Sequence, residues 1–387
     1  MNLNSLCPGC MKEIENSGSV CPYCGFSREE YESQRNLRVL PTFSILFGRY
    51  LLGKALGEGG FGITYIAKDL VEEKTVAIKE YFPVGLAVRD AVNGDMNLSC
   101  ISGSDKKRYY QHGLKSFVEE AKNMQKFRSL SGVVSVMNFF YENGTAYLVM
   151  EYIDGMSLKQ YLRKKKKPLP ENAVLSIMRP ILYALSNIHK EGMIHRDVSP
   201  ENIMLAKDGS VVLIDFGAAR NLTGAETQSL TIILKQGYAP VEQYQTRGRQ
   251  GPWSDVYAVC ATMYRMLSGN VPAEAVERMS KDTVRPLYLL TWNDKPLGVS
   301  RRISDIVRKG LAVYPQNRYR NAGELLNALY PEEKKEELPL SEERRIEKYD
   351  NHPTPPQTMR DNTGLFIGFW VMIVMVIILL ICWGISV

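Results

Sequence analysis

Two short motifs decide the fold of this chain: HRDVSPEN at residues 195–202 and DFG at residues 215–217. The first places a carboxylate, Asp197, and an amide, Asn202, on one loop. The second places another acid, Asp215, directly after a short apolar run. Phosphoryl transfer from ATP needs a carboxylate that accepts the proton of the substrate hydroxyl, and oxygen ligands that hold Mg²⁺ against the phosphates. The order and separation of the motifs indicate an ATP-dependent phosphoryl-transfer site.

A glycine-rich segment lies upstream, where residues 57–62 read GEGGFG. A GxGxxG pattern is also a dinucleotide-binding fingerprint when a helix follows it, but strand-like residues follow here, at 63–67. The pattern therefore favours a hairpin whose backbone closes over the phosphates of ATP, since side chains would prevent that approach. The candidate nucleotide contacts are Gly57, Glu58, Gly59, Gly60, Phe61 and Gly62.

A lysine and a helix carboxylate are expected to meet behind the phosphates. Lys79 ends the apolar run VAIK and is costly to bury unless it is paired. Successive helix residues rotate by about 100°, so four apolar residues of the following helix share one face. These are Phe117, Ala121, Met124 and Phe127. Glu120 projects from that face whereas Glu119 points away, so Glu120 is the candidate partner of Lys79.

Residues from about 48 to 330 resemble a protein kinase domain, most closely that of the bacterial eukaryotic-like (Hanks-type) serine/threonine kinases. The resemblance covers roughly three-quarters of the chain and implies an α+β, two-lobed protein kinase fold that uses ATP and Mg²⁺. It implies that Asp197 orients and deprotonates the acceptor hydroxyl, and that Asn202 and Asp215 hold Mg²⁺. The expected products are phosphorylated protein substrates and autophosphorylated kinase.

The resemblance also assigns the nucleotide pocket. It implies that Lys79 and Glu120 form the activating ion pair. Met150 would be the gatekeeper, and Glu151 and Ile153 would belong to the hinge whose backbone binds adenine.

Three further matches are expected to hold the fold without taking part in the chemistry. Glu242 lies in a segment that resembles the APE motif, and Arg318 matches the arginine that pairs with it. Asp255 resembles the helix acid that braces the catalytic loop.

The chain departs from the family pattern at two positions near the catalytic aspartate. Serine/threonine members usually carry a lysine two residues after it, where this chain has Ser199, so the transition state would lose one positive charge. Counting back from Glu242, the place of a threonine that usually bonds near the aspartate holds Lys235. We expect Lys235 to supply the missing charge, with an exposed loop lysine as the alternative. Both departures bear on the preference for serine and threonine over tyrosine.

Two segments of the domain carry further expectations. The connection between Lys79 and Glu120 is about twice the family's usual length and predicts an extra hairpin around Asn93-Gly94. Arg196 precedes the catalytic aspartate, an arrangement found in kinases whose activation loop is phosphorylated, and a phosphate there would pair with it. The candidate sites are Thr223, Thr227, Ser229 and Thr231.

Four cysteines near the start of the chain form two CxxC pairs. They are Cys7, Cys10, Cys21 and Cys24. Two such turns direct four thiolates at one ion, the donor set of a structural Zn²⁺ site. Residues 1–28 therefore resemble a zinc ribbon whose central hairpin turns at residues 16–18. Two disulfides are the alternative, which a reducing compartment disfavours.

The last 24 residues, 364–387, contain no charged residue. As a helix they would span about 36 Å, against a hydrocarbon core of about 30 Å, and Trp370 and Trp383 lie towards the two interfaces. The sequence predicts a single-pass protein of the cell membrane with its catalytic domain in the cytoplasm, where ATP is. Residues 29–47 and 331–363 are predicted to be linkers because of their charged and Pro-rich composition.

The remaining expectations concern partners. The net charge of +6 is spread along the 387 residues and predicts no nucleic-acid partner. The basic run 163–167 is a solvated loop or, in a tethered domain, a contact with anionic lipid. The sequence leaves open whether the protein forms a homodimer. A membrane-tethered scaffold that recruits partners through the zinc ribbon is the alternative function, and the complete catalytic set disfavours it. The long activation segment disfavours a small-molecule kinase.

Overall fold

A computed structural model describes residues 5–14, 20–89, 96–216, 234–245 and 248–331. They belong to one folded unit, Met1–Glu337. Within the described ranges, no helix has the length and apolar character that crossing a membrane requires. The predicted span at 364–387 and nearly all of the second predicted linker lie outside those ranges, so both stay predictions.

The N-terminal lobe is built on an antiparallel sheet of six strands in the order β1-β2-β3-β4-β8-β7, with β5 and β6 paired separately. The strands are β1 (Ile45–Leu46), β2 (Tyr50–Glu58), β3 (Gly62–Asp69), β4 (Thr75–Tyr81), β5 (Ala87–Arg89), β6 (Leu98–Cys100), β7 (Val136–Glu142) and β8 (Thr145–Glu151). Two helices accompany them, α1 (Arg28–Gln34) and α2 (Ser104–Met124).

The period-two alternation of β4 decides where its lysine points. Val76 and Ile78 are buried in one apolar cluster of the lobe. Ala77 and Tyr81 are buried in the other, beneath α2. Lys79 shares the parity of Ala77 and Tyr81, so it emerges on the α2 side of the sheet.

Helix α2 packs against β8 and β7, and its apolar face is the predicted one. The four residues of that face are all buried: Phe117, Ala121, Met124 and Phe127. The last of them lies in a 3-10 turn, Gln125–Phe127, that continues the helix. Because the helical period is local, spacing alone was sufficient to identify this face.

The long connection after β4 contains the predicted extra hairpin. Strands β5 and β6 pair through Ala87 and Cys100, and the predicted turn at residues 93–94 lies outside the described residues. Arg89 of this hairpin forms a buried ion pair with Glu80. The same carboxylate accepts hydrogen bonds from the hydroxyls of Tyr65 and Tyr147 at 3.0 and 2.8 Å. The insertion is therefore anchored to the sheet by a buried polar network whose carboxylate is fully engaged.

Residues 29–47, predicted to be a linker, are instead part of the lobe. They contain all of α1 but its first residue, and the whole of β1, and Val39, Leu40 and Leu46 are buried in the core. The amide of Leu40 donates to the Tyr65 hydroxyl at 3.1 Å. The charged and polar composition of this segment predicted a linker. Only the packing shows that its few apolar side chains are buried in the core of the lobe.

The C-terminal lobe is mostly helical. Its helices are α3 (Leu158–Lys165), α4 (Glu171–Lys190), α5 (Val241–Tyr244), α6 (Pro252–Ser268), α7 (Ala275–Arg278), α8 (Arg301–Gly310) and α9 (Ala322–Leu329). Its strands are β9 (Gly155–Ser157), β10 (Ile203–Ala206), β11 (Val211–Leu213), β12 (Thr291–Trp292) and β13 (Lys295–Pro296). Nearly all of α6 is buried. Pro252 suits its first turn, and Gly269, at φ 77°, ends it.

The loops that carry the two deciding motifs are fixed by the small sheet β11-β10-β9. The HRDVSPEN loop leads into β10, and the DFG segment follows β11. The backbone amide of Leu213 donates to the carbonyl of Gly132 at 2.9 Å, and the amide of Val134 donates to the carbonyl of Leu213 at 3.0 Å. These bonds tie the small sheet to the segment that precedes β7.

Candidate active site

A cleft lies between α2, the large sheet and the segment after β11. Five of the predicted site residues line it: Phe61, Lys79, Glu120, Met150 and Asp215. The rest of its lining is mainly apolar, as small-molecule sites usually are. Of the predicted hinge residues, Glu151 is the last residue of β8 and Ile153 lies in the segment that joins β8 to β9.

The glycine-rich loop is the turn between β2 and β3, closed by a hydrogen bond from the Gly59 amide to the Gly62 carbonyl at 2.8 Å. Its glycines serve different purposes. A Cβ on Gly62 would lie 2.2 Å from the carbonyl oxygen of Glu80, whereas a Cβ on Gly57 would meet nothing within 4 Å. Gly62 is therefore required by strand packing, and Gly57 leaves open space at the loop.

The tip of this loop is tied to the insertion, which the sequence did not predict. The amide of Phe82 donates to the carbonyl of Phe61 at 3.0 Å, and the amide of Val84 donates to the carbonyl of Gly60 at 2.9 Å. The residues directly after β4 thus continue the ladder alongside the loop. No sequence period identifies such backbone bonds.

Lys79 pairs with Asp215, its Nζ lying 2.7 Å from Oδ1. Burial lowers the pKa of Lys79, but the charge of Asp215 outweighs it and the net shift is upward, with Glu120 adding a smaller contribution. Burial opposes ionisation of Asp215, yet its neighbour Lys79 holds the pKa of the carboxyl below its usual value. Both groups stay charged, the state that a cation-binding carboxylate requires.

Glu120 lines the same cleft as Lys79 and its charge contributes to the raised pKa of that lysine, while Asp215 forms an ion pair with it that the sequence did not predict. Helical periodicity predicted the direction of Glu120 correctly. It could not predict the separation of two side chains on different elements, which depends on how closely α2 approaches β4.

Asn202 holds the catalytic loop closed around Asp197. Its Nδ2 donates to the backbone carbonyl of Asp197 at 2.8 Å and to Oδ2 of the same residue at 2.9 Å. With the amide nitrogen so used, its Oδ1 is the atom that remains for a metal ion. The carbonyl of Asn202 accepts from the amide of Ile214 at 2.8 Å, which places this loop beside Asp215.

Asp255 braces the loop from α6, as predicted. Its carboxylate accepts from the backbone amides of His195 and Arg196, both at 2.7 Å, and lies 2.8 Å from Nε2 of His189. Burial opposes ionisation, but these hydrogen bonds keep its pKa below the usual value. Arg196 has φ 68°, so the loop turns sharply just before Asp197.

The pair expected to close the APE-like segment is also present. Arg318 donates to the two carboxylate oxygens of Glu242 at 2.8 and 3.1 Å, and both side chains are buried. Bidentate geometry makes this a strong buried pair. It fixes the segment that carries α5.

Lys235 lies beside the catalytic loop, as predicted. Its Nζ is 2.9 Å from Oγ of Ser199 and 3.3 Å from Oδ2 of Asp197. It is also 3.3 Å from Oε2 of Glu201, a residue that the sequence did not single out. Glu201 pairs in addition with Lys159 of α3. Only its position inside the HRDVSPEN loop could have drawn attention to Glu201.

A second cluster lies at the N-terminus, where the Sγ atoms of four free cysteines are all within 4.8 Å of one another. Cys7 and Cys24 are 3.7 Å apart, and Cys10 and Cys21 are 3.9 Å apart. Four sulfurs placed tetrahedrally about 2.3 Å from one Zn²⁺ would be about 3.8 Å apart. The donor set and its spacing therefore suit a single metal ion.

The cysteine cluster is docked on β2, the strand that leads into the glycine-rich loop. The amide of Lys54 donates to the carbonyl of Pro8 at 2.8 Å. The amide of Ala55 donates to the hydroxyl of Tyr31 at 2.8 Å. A Cβ on Gly53 would lie 2.2 Å from the Pro8 carbonyl oxygen, so the two backbones touch.

The protein kinase domain model matches residues 50–330. The chain therefore belongs to the protein kinase family, and the predicted two-lobed kinase domain is confirmed. The curated relatives described below carry serine/threonine kinase names.

The chain is 30% identical over 296 residues to serine/threonine-protein kinase PknA of Nostoc sp., covering 74% of this chain and 47% of that protein. It is 30% identical over 288 residues to PknL of Mycobacterium bovis, covering 72% and 64%. A solved structure described as PpkA-294 in the apo form shares 35% identity with a TM-score of 0.66, covering 76% of this chain and 99% of that one. The chain thus spans about half to two-thirds of the two curated relatives.

Proposed function

We propose that this protein is a serine/threonine kinase that transfers the γ-phosphate of Mg·ATP to hydroxyl groups of protein substrates, including its own. The observation that carries the proposal is the placement of two pairs side by side: Lys79 with Asp215 in the cleft, and Asn202 with Asp197 on the adjoining loop. A non-catalytic scaffold does not need these four side chains to lie close together. Each is costly to bury without a purpose or a partner.

The geometry supports an in-line transfer. Asp197, held by Asn202, accepts the proton of the acceptor hydroxyl while the hydroxyl oxygen forms a bond to the γ-phosphorus. The bond from that phosphorus to the bridging oxygen breaks, and ADP leaves with the electron pair. Asn202 and Asp215 would hold Mg²⁺, which offsets the charge of the phosphates. Lys79 would contact the α- and β-phosphates.

The test is transfer of labelled phosphate from ATP by the full chain, to itself and to a general protein acceptor. Asp197→Asn is the matched control, because it keeps the shape and loses the base. Label on serine or threonine that disappears in the variant supports the proposal. ATP binding without transfer by the native chain would contradict it and favour the scaffold.

We propose that the four N-terminal cysteines hold one structural Zn²⁺. The sulfur separations and the reducing cytoplasm support this assignment over two disulfides. Purified full chain is expected to contain one zinc ion per molecule. Cys7→Ser should lose it, whereas Cys100→Ser, a change outside the cluster, should retain it. Equal zinc contents in the two variants would refute the assignment.

We also propose that residues 364–387 anchor the protein in the cell membrane with the kinase domain in the cytoplasm. The uncharged sequence and its length support this proposal. The full chain is expected in the membrane fraction, and a chain ending at residue 363 in the soluble fraction. Recovery of both in the soluble fraction would exclude an anchor.

Phosphorylation of the activation segment completes the proposal. Within the part of the chain that the structure describes, Nε of Arg196 is buried and has no hydrogen-bond partner, and burial lowers the pKa of its guanidinium. A phosphate would satisfy such a donor. The candidate threonines and serine at residues 223–231 lie outside the described residues. Mass spectrometry of active enzyme without phosphate in residues 218–236 would refute this step.

A further inference from the structure

A cation from outside the catalytic loop lies beside the catalytic aspartate. Nζ of Lys235 contacts Ser199, Asp197 and Glu201 within 3.3 Å. These are as many contacts as an ammonium has protons. Two positions after Asp197, the loop itself supplies only the Ser199 hydroxyl, which is fully buried. The short side chain of Ser199 accepts the hydrogen bond of a lysine that arrives from another segment.

The backbone that carries Lys235 is fixed in place. Its carbonyl accepts from the amides of Tyr238 and Ala239, both at 3.0 Å, in a tight turn. Gly237 takes φ 78° in this turn, and a Cβ there would lie 2.4 Å from the Pro272 carbonyl oxygen. The position of the ammonium is therefore set by packed backbone at its base as well as by its polar contacts.

The next residues of the same segment bind the catalytic loop directly. Gln243 of α5 donates to the backbone carbonyl of Arg196 at 3.0 Å. Glu242, its neighbour, is held by the buried pair with Arg318. Lys235 and Asp197 are thus connected through two separate routes, and their separation follows from both.

The surroundings strengthen the electrostatic interaction between Lys235 and Asp197. Its side chain is only 19% exposed, and that of Asp197 is 13% exposed, so water screens their interaction poorly. Glu201 shares its carboxylate with Lys159, whose side chain is 64% exposed. Lys159 therefore offers a lysine of the same network that lies in water and contacts neither Asp197 nor Ser199 within ion-pair distance.

We propose that Lys235 is a catalytic residue whose ammonium binds an oxygen of the γ-phosphoryl group during transfer, and that Ser199 positions it. The inference rests on the proposed kinase function. Negative charge is distributed over the equatorial oxygens of the transferring group, and an ammonium beside Asp197 lies next to the acceptor oxygen. Lys235 exchanges one carboxylate contact for the phosphoryl oxygen. It gives up no proton, since the hydroxyl proton passes to Asp197.

The first test compares Lys235→Met with Lys159→Met in the full chain. Loss of one preorganised donor to a developing oxyanion typically costs about 10²–10³ in kcat, and we expect a loss of about 10²-fold for Lys235→Met. Its KM for ATP and its melting temperature should stay close to those of the native chain. Lys159→Met should change kcat by less than about threefold, as expected of an exposed pair.

The second test moves the charge back into the loop. The double variant Ser199→Lys with Lys235→Ser restores an ammonium near Asp197 from the other segment. Its kcat should be at least tenfold higher than that of the single variant Lys235→Ser. A merely structural role for Lys235 would not be rescued by a lysine at another backbone position.

A binding measurement covers the case in which the double variant does not fold. Native and Lys235→Met chains should bind Mg·ADP equally. With aluminium fluoride added, as a mimic of the transferring phosphoryl group, the variant should bind less tightly by a factor similar to its loss of kcat. Equal binding of the mimic would overturn the inference.

The outcomes separate the two proposals. Phosphate transfer by the native chain with an unchanged kcat in Lys235→Met refutes the role of Lys235 and leaves the kinase function standing. A parallel loss of ATP binding and of melting temperature in that variant would also refute a catalytic role. Absence of transfer by the native chain refutes the kinase function, and the inference falls with it.

Discussion

At the scale of single residues, Asp255 shows how a buried charge organises a loop without taking part in the chemistry. Its two oxygens accept from the amides of His195 and Arg196, and one of them also meets His189. A buried carboxylate is tolerated only when such donors compensate for the water it has lost. Because the donors belong to the catalytic loop, the charge fixes the direction in which Asp197 leaves it.

Asp255→Asn should therefore destabilise the protein strongly. The amide would turn two hydrogens towards a site that already contains donors, and loss of one partner from a buried charged network costs about 3–5 kcal/mol. Urea unfolding of the full chain measures the change. Asp305→Asn is the matched control, since Asp305 pairs with Arg308 at an exposed position and should cost less than about 1 kcal/mol. Equal losses in the two variants would contradict this account.

His195 gives a prediction for pH. Its Nδ1 accepts from the amide of Asp197 at 3.3 Å and its Nε2 faces the carbonyl of Ile214 at 3.2 Å, a pattern that the neutral ring with hydrogen on Nε2 satisfies. Burial lowers its pKa below the usual 6.5, although nearby carboxylates oppose the shift. The unfolded chain therefore binds a proton that the folded chain does not. Stability from this group is complete above pH 6.5 and is lost as pH falls towards the folded pKa.

The expected loss is up to about 1.4 kcal/mol per pH unit below 6.5. The measurement is the difference in unfolding free energy between pH 7.5 and pH 5.5 for native chain, His195→Gln and His112→Gln. His112 is exposed on α2, so its variant should keep the native pH dependence. His195→Gln should lose part of it. Identical pH dependence in all three proteins would show that His195 titrates normally.

At the scale of elements, two glycines of the β2–β3 hairpin have different roles. One allows the hairpin to pack closely against β4, and the other leaves space for a ligand. Gly62 lies against the Glu80 carbonyl, and Gly57 faces open space. The tip is held further by the amides of Phe82 and Val84. The loop is thus supported from the insertion side and open on the side where a nucleotide would enter.

Gly62→Ala and Gly57→Ala should separate these two effects. Overpacking against backbone costs about 1–3 kcal/mol, so Gly62→Ala should lower the unfolding free energy by that amount. Gly57→Ala should leave stability within about 0.5 kcal/mol and weaken ATP binding, measured by titration calorimetry. The reverse order of stabilities would show that the described contact of Gly62 is not the relevant one.

At the scale of the whole molecule, the cysteine cluster, the insertion and residues 29–47 all pack on the N-terminal lobe. Each adds contacts to a sheet that also forms the roof of the cleft. The cluster docks on β2 through the backbone bond from Lys54 to Pro8, and α1 adds the bond from Ala55 to the Tyr31 hydroxyl. We expect this contact between the cluster and β2 to loosen first when the proposed zinc ion is removed.

Removal of the metal should therefore loosen β2 locally. After treatment of the full chain with a zinc chelator, amide exchange at Lys54 should accelerate markedly, because its acceptor is the Pro8 carbonyl within the first CxxC turn. Amides of the central strand β4, which is paired on both sides, should keep their protection. Unchanged exchange at Lys54 in metal-free protein would show that the cluster docks without metal. The prediction rests on the proposed zinc site.

Much of the fold was predictable because its signals are local. Alternation along β4, the helical period of α2 and the turn chemistry of the CxxC pairs each depend on residues close in sequence. The same holds for the loop that carries Asp197 and Asn202, whose spacing predicted their chemistry. Residues 29–47 were mispredicted as a linker because burial of Leu40 and Leu46 depends on a surface supplied by distant strands.

The sequence by itself determined the class of the protein, because the spacing of its motifs specifies an ATP-dependent phosphoryl-transfer site. Its four paired cysteines also predicted the sulfur cluster proposed to bind zinc. Only the tertiary structure decided which charges meet. Lys79 pairs with Asp215, a contact that the sequence did not predict, and Lys235 lies 3.3 Å from Asp197 although the two are far apart along the chain. Sequence patterns encode directions within one element, whereas the distance between side chains on different elements is set by how those elements pack.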